Sequence, residues 1–155
     1  MTGPFEVPVL GPAGEVDAWE FTGSETADVC TLTATAPAGG TWSGEGDDWF
    51  DALRAVRVAL DGDGFLPLCA GARLNAGSSG MLADTTRGRY VYLLEPRRTP
   101  RKPVWIFAPA EPDEVASVAD QEAFFERWLS APPRRNLLEP VAGLLREAWF
   151  RVRYR

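Results

Sequence analysis

Near Asp47 the spacing of apolar residues switches from every second position to the three-and-four spacing of a helix, and this switch limits the possible folds more than any other feature. Upstream, Val29 to Ala36 (VCTLTATA) sets Val29, Thr31, Thr33 and Thr35 against Cys30, Leu32, Ala34 and Ala36. Side chains of a strand alternate between its faces, and β-branched residues suit a pleated surface, so the run predicts a half-buried strand. Val16 to Phe21 also alternates at its start and carries Trp19 and Phe21. With Gly23-Ser24-Glu25 as the turn signal, the two runs predict a hairpin. Downstream, Trp49, Phe50, Leu53, Val56 and Leu60 form one helical stripe between Asp47 and Asp61, with Arg54 and Arg57 read as lying off it. Asp47 or Asp48 can cap the start, and Gly62 with Gly64 ends it.

The remaining segments fall around this switch. Phe5 to Leu10 contains Pro8, which cannot donate to a ladder, so it reads as an edge strand, or residues 1–12 as an extended arm. Pro37 to Gly46 is glycine-rich and reads as a loop. Phe65 to Ala72 (FLPLCAGA) predicts a buried strand whose Pro67 places it at an edge or bulge, and Leu74 to Gly88 predicts a long polar loop. Arg89 to Leu94 and Val104 to Ala108 predict an antiparallel hairpin with the basic tip Arg97 to Lys102. Ser117 to Asp120 resembles a capping box before Val118, Phe125, Trp128 and Leu129 on one helical face. A last helix is expected from Glu139-Pro140, and the end of the chain suits either helix or strand. Strands, a helix, more strands and then helices predict an α+β fold, with a mostly antiparallel sheet of about five to six strands and about three helices on one face.

A chain of 155 residues is the size of one domain and buries enough surface to fold without a disulfide or metal. Cys30 and Cys69 lie among apolar or β-prone neighbours and are expected to be buried thiols. The sequence has no run long enough to span a membrane and no signal-like start, so a cytoplasmic protein is expected.

Charge is the main functional lead. Residues 1–53 hold ten acids and no lysine or arginine, and residues 54–155 hold sixteen basic residues against twelve acids, so the two parts carry −10 and +4. One reading is an acidic face neutralised by the basic remainder of the same molecule; the other is an acidic face that steers a basic protein partner. On the second reading the contacts are Glu15, Asp17, Glu20, Glu25, Asp28, Glu45, Asp47 and Asp48, with Trp19 or Trp42 as exposed aromatic anchors.

The absence of histidine removes Ser-His-Asp and Cys-His nucleophilic sites and histidine-ligated zinc. There is no GxxxxGK[ST] loop, and the Asp61/Asp63 turn lacks the further oxygen ligands of a calcium loop. No catalytic residue, cofactor or metal is therefore expected. Nucleic acid is a poor fit for a chain of pI near 4.7 whose basic run lacks interleaved aromatics. The alternative to protein binding is a small-molecule or anion site in the Gly71–Gly88 segment. There a Gly/Ser turn could present backbone N–H groups and Arg73, Asn75, Ser78, Ser79 and Arg87 could hold the ligand.

Ala52-Leu53-Arg54-Ala55-Val56-Arg57, Leu68-Cys69-Ala70-Gly71-Ala72-Arg73, Ser79-Gly80-Met81, Gly88-Arg89-Tyr90-Val91-Tyr92-Leu93 and Val118 to Phe124 give about half the chain a resemblance to a group of small bacterial proteins. These are associated with the immunity-type partners of bacterial toxin systems. The matching motifs identify no catalytic residue, and the resemblance implies a partner-binding protein, not an enzyme.

Overall fold

The computed structural model of the chain describes residues 3–100 and 102–131. The first third forms four antiparallel strands, β1 (Phe5–Leu10), β2 (Val16–Glu25), β3 (Cys30–Thr35) and β4 (Thr41–Gly46). Helix α1 (Trp49–Gly62) follows, then the two-residue strand β5 (Leu66–Pro67), which returns to the open side of β1. The sheet order is β4-β3-β2-β1-β5. Beyond a 3-10 turn at Ala70–Ala72 come β6 (Ala76–Gly77), α2 (Gly80–Thr86), β7 (Tyr90–Leu93), β8 (Val104–Trp105) and α3 (Val118–Ser130). Strands β6, β7 and β8 make a second antiparallel sheet. The fold is α+β with antiparallel strands, as expected. The strands divide into two sheets because β5 stops at Pro67 and the chain turns away.

Several local readings change. Residues 5–10 are a paired strand, not an arm, with β2 on one side and β5 on the other. Pro8 is tolerated because β5 pairs only with Val9 and Leu10. The Pro8 carbonyl accepts from Leu68 N at 2.8 Å on that side, and the Leu68 carbonyl, which a Pro8 N–H would have met, accepts from Ala110 N at 3.2 Å instead. The expected hairpin exists, but β2 runs straight through Gly23-Ser24-Glu25. Glu25 pairs with Cys30, and the turn is closed by Thr26 N donating to Val29 O at 2.9 Å.

The glycine-rich stretch read as a loop contains β4. Its glycines answer to the helix. A Cβ on Gly44 would lie 2.5 Å from the Val56 nitrogen, and one on Gly46 would lie 2.5 Å from the Ala52 nitrogen. Glycine thus lets α1 rest directly on the strand backbone. Phe65 to Ala72 is a strand only at Leu66–Pro67, although Leu68 to Ala72 is buried as expected. Residues 74–88 are not a loop, since they hold β6 and α2. The hairpin partners Arg89–Leu94 and Val104–Ala108 do pair, over the shorter β7 and β8. The helix expected from Glu139-Pro140 lies outside the described residues.

The core forms where α1 covers the inner face of the first sheet. Trp49, Leu53, Val56 and Leu60 are fully buried, and so is Arg57. Residue 57 is one helical turn past Leu53 and one position past Val56, so it shares the buried face despite its charge. Phe5, Phe21 and Phe107 cluster at one end with Phe5–Phe107 centroids 4.6 Å apart, and Trp19, Trp42 and Phe65 cluster at another.

Candidate functional site

The start of α1 determines where a site can form. Asp48 caps the helix, accepting from Asp51 N at 2.8 Å, while Trp49 N donates to the Arg87 carbonyl at 3.0 Å. This seats α1 on the turn that follows α2. Arg87 closes α2 with φ 52° and Gly88 follows at φ 69°. A Cβ at Gly88 would stand 2.4 Å from Asp48 Oδ1, so backbone sign and space both select glycine there. Burial raises the Asp48 carboxyl above its ordinary value, and the backbone N–H of Asp51 only partly offsets this.

Between this junction and α3 lies an open cleft of about 690 Å³. Its charged lining includes Asp47 and Asp48 just before α1, Asp51 and Arg54 of α1, Asp84 of α2 and Glu122 of α3. Phe50 and Phe125 give it apolar surface, and Ser78 and Ser79 also line it. Five carboxylates thus meet two arginines, and both arginines are engaged by the protein itself. Arg54 pairs with Glu122. The Arg87 guanidinium donates to the Thr26 and Ala27 carbonyls and sits 3.9 Å from Glu25. Asp47 and Asp84 are exposed and form no ion pair with a described residue. Gln121 is buried behind the cleft, accepting from Arg57 Nη1 at 2.8 Å and donating to the Gly71 and Arg73 carbonyls at 2.9 and 2.7 Å. Among the described residues no three His, Cys, Asp or Glu side chains are placed to share a metal ion.

The residues expected to bind an anion do not converge. Arg73 pairs with Glu114 at 3.2 Å and is not part of the cleft. Asn75 Nδ2 donates to the Leu94 carbonyl, holding the segment against β7. Ser79 Oγ caps α2 by accepting from Leu82 N, and the Ser78 hydroxyl donates to the Ser79 carbonyl. Of the five, only Ser78, Ser79 and Arg87 reach one place, and its charged lining has five carboxylates against two arginines.

The early acids are also divided. Register places Glu20 opposite Glu6 and Thr35, and Glu45 opposite Thr31, on the solvent face of the first sheet. Glu15 is turned onto its own loop, accepting from Ala13 N at 3.0 Å, and Asp17 and Asp28 are exposed elsewhere. Glu25 lies inward. It takes Trp49 Nε1 at 2.8 Å and Arg89 Nη2 at 2.9 and 3.0 Å. The indole hydrogen bond leads in holding its carboxyl below the ordinary range, and Arg89 and Arg87 add to it against the opposing effect of burial. Only Asp47 and Asp48 of the eight reach the cleft. Trp19 is 4% exposed and stacks on Trp42 at 4.9 Å, so it belongs to the core and is not an exposed anchor. Trp42 is half-buried, with Nε1 donating to Asp63 at 2.8 Å.

Sequence reasoning missed Asp84, Glu122 and Phe125 as members of the site. They lie far from Asp47 along the chain, and only the packing of α2 and α3 around the start of α1 gathers them. Both thiols are buried and unpaired, and burial pushes Cys69 up to about 11, which removes it as a nucleophile. No helix of the described residues is long and apolar enough to cross a membrane. No protein-family model matches the chain, and comparison with curated proteins finds no match.

Proposed function

We propose that this chain is a non-enzymatic binding protein whose acidic cleft receives a cationic segment of a protein partner, as an immunity-type inhibitor or adaptor would. The observation that carries this reading is the convergence of Asp47, Asp48, Asp51 and Asp84 on one open cleft in which Arg54 is paired with Glu122 and Arg87 is held by the Thr26 and Ala27 carbonyls. Exposed carboxylates draw a cation at long range and raise the rate of encounter, and the Phe50 and Phe125 surfaces favour a segment with an apolar residue beside its charges. The proposal is narrower than an acidic face spread over the first third, because Glu20 and Glu45 on the outer sheet take no part.

An NMR titration of the full chain with an arginine-rich peptide tests the idea. Amides of residues 47–51, 84 and 122 should shift, and affinity should fall as salt rises. Asp47→Asn combined with Asp84→Asn should weaken binding about fivefold, two exposed charge pairs being worth roughly 1 kcal/mol together. Uniform small shifts over the outer sheet face, or none at all, would defeat the proposal. Equal binding of free arginine and the peptide would point to a small cationic ligand instead.

A further inference from the structure

We propose that the open edge of β4 is a second docking site, at which an extended basic segment of a partner protein adds to the first sheet as a further antiparallel strand. The inference does not depend on the cleft. Its first support is the direction of the backbone groups. Ala36 N donates to the Gly40 carbonyl at 2.8 Å, and Thr26 N donates to the Val29 carbonyl at 2.9 Å. Hydrogen-bonded pairs recur at every second residue of an antiparallel ladder, and the two contacts set the same phase for β3. Trp42, Gly44 and Gly46 therefore turn their N–H and C=O groups to Ala34, Leu32 and Cys30 of β3, and Thr41, Ser43 and Glu45 turn theirs away from the sheet. Strand β4 ends the sheet order, and among the described residues no backbone bond reaches those outward groups. Edges are commonly blunted by lysine, proline or a bulge, and the 6 residues of Thr41–Gly46 (TWSGEG) carry no such guard.

The second support is what the edge asks of its occupant. A strand added there sets alternate side chains on the two faces of the sheet. On the inner face they lie beside Gly44 and Gly46, which have no side chain to exclude them, and next to the flank of α1 that carries Ala55, Val58 and Ala59. Ala55 stands over the strand, with its Cβ 2.7 Å from where a Cβ on Gly44 would be, and Val58 is 58% exposed. Arg54, Arg57 and Asp61 occupy the other flank and meet α3, so the inner side chains of the occupant find apolar surface. Charge decides the outer face. Strands β1 to β4 lie within residues 1–53, which hold ten acids and no lysine or arginine. Glu45 is exposed on the edge strand itself and meets only the Thr31 hydroxyl at 3.5 Å, and Glu20 and Glu6 follow on the same face. Opposite charges facing each other across strands stabilise a pair and like charges oppose it. A second copy would bring another sheet without a base, whereas lysine or arginine at every second residue complements this one. The occupant is thus an extended segment of alternating basic and apolar residues, held by main-chain bonds and selected by its side chains.

The test uses the full chain as a monomer and the acetylated peptide Lys-Val-Lys-Val-Lys-Val as probe, with amide hydrogen exchange as the readout. Without peptide, the amides of Thr41, Ser43 and Glu45 should exchange fast and those of Trp42 and Gly44 slowly. Peptide should slow the first three, and its affinity should fall as salt rises. The same peptide N-methylated at its lysine backbone nitrogens keeps the charge but loses the main-chain donors, and it should bind about tenfold more weakly. Ser43→Pro should weaken binding by about the same factor, because it removes an outward N–H and leaves the β3 ladder whole. Should that variant fail to fold, Ser43→Lys, which sets a like charge opposite a peptide lysine, should weaken binding about threefold. Equal binding of the methylated and unmethylated peptides would overturn the proposal. So would slow exchange of the three amides in the free monomer, which would mean that the chain already covers this edge. Slowing that follows protein concentration without peptide would assign the edge to a second copy and refute the basic partner. Peptide shifts confined to residues 47–51 and 84 would keep the cleft as a cation site and eliminate β4.

Discussion

Arg57 is the residue at which charge and burial conflict most. It is fully buried in α1, and among the described residues no carboxylate pairs with it. Its guanidinium donates to three neutral acceptors, the Gly71 carbonyl at 3.1 Å, Gln121 Oε1 at 2.8 Å and the Ala116 carbonyl at 2.8 Å, while Nε has no partner. Burial pulls its pKa down, yet an arginine starts so high that it stays charged. A fork of donors is what this position needs, because one side chain then satisfies backbone carbonyls of two segments and fixes the side chain of α3 that backs the cleft. Arg57→Ala should cost about 3–5 kcal/mol, since it leaves buried acceptors unpaired and opens a cavity. Arg57→Lys should recover only part of that, because an ammonium cannot span the same acceptors. Urea denaturation of the three proteins checks the order; an alanine variant within 1 kcal/mol of wild type would show that the buried guanidinium is not a structural hub.

At the scale of elements, the contact between α1 and β4 organises the first sheet, and its glycines are its least legible part in the sequence. The period-two run of β3 and the stripe of α1 were readable because side-chain alternation and helical spacing leave their own patterns. Strand β4 was hidden, because Gly44 and Gly46 look like loop residues until a helix lies on them. The segment 74–88 was hidden for a related reason. Its helix is seven residues long, too short to show a period, and it is defined by the Ser79 cap and the Arg87-Gly88 turn. Substitution separates a packing glycine from a merely flexible one. Gly44→Ala should destabilise the protein by about 1–3 kcal/mol, because the new methyl meets the α1 backbone and neither element can retreat cheaply. Gly62→Ala should instead stabilise it by about 0.4–1 kcal/mol, since no atom lies within 4 Å of its Cβ position and the helix gains a better former. Thermal melts of the two variants should therefore move in opposite directions. A Gly44→Ala protein that melts with wild type would mean that the helix does not rest on the strand.

For the molecule as a whole, the question is what ties the two sheets together, and the answer bears on acid stability. Glu25 ends β2 of the first sheet, yet its carboxylate takes the indole of Trp49 in α1 and the guanidinium of Arg89, the residue before β7 of the second. The sequence showed an acid-rich third but could not show which acids were internal ties and which lined a cleft, because that division depends on pairing register and on partners more than sixty residues away. Glu25 and Asp48 then respond to acid in opposite senses. The Glu25 carboxyl is held below its ordinary 4.5, so the unfolded chain takes up that proton first. Its contribution to stability is complete above pH 4.5 and disappears as the pH falls through the lower folded value. Asp48 is raised above its ordinary 3.8, so the native state holds that proton more tightly, and the stability lost to burying the charge at neutral pH is regained in acid. Glu25→Gln isolates the first effect, because the amide keeps the shape and can still accept from Trp49 but cannot pair with Arg89 as an ion. Urea midpoints at pH 7 should place the variant below wild type, and the gap should narrow steadily from pH 4.5 downward until the two coincide. A gap of the same size at pH 7 and pH 3 would show that the ionised carboxylate does not join the sheets, and the loss would then have to come from packing alone.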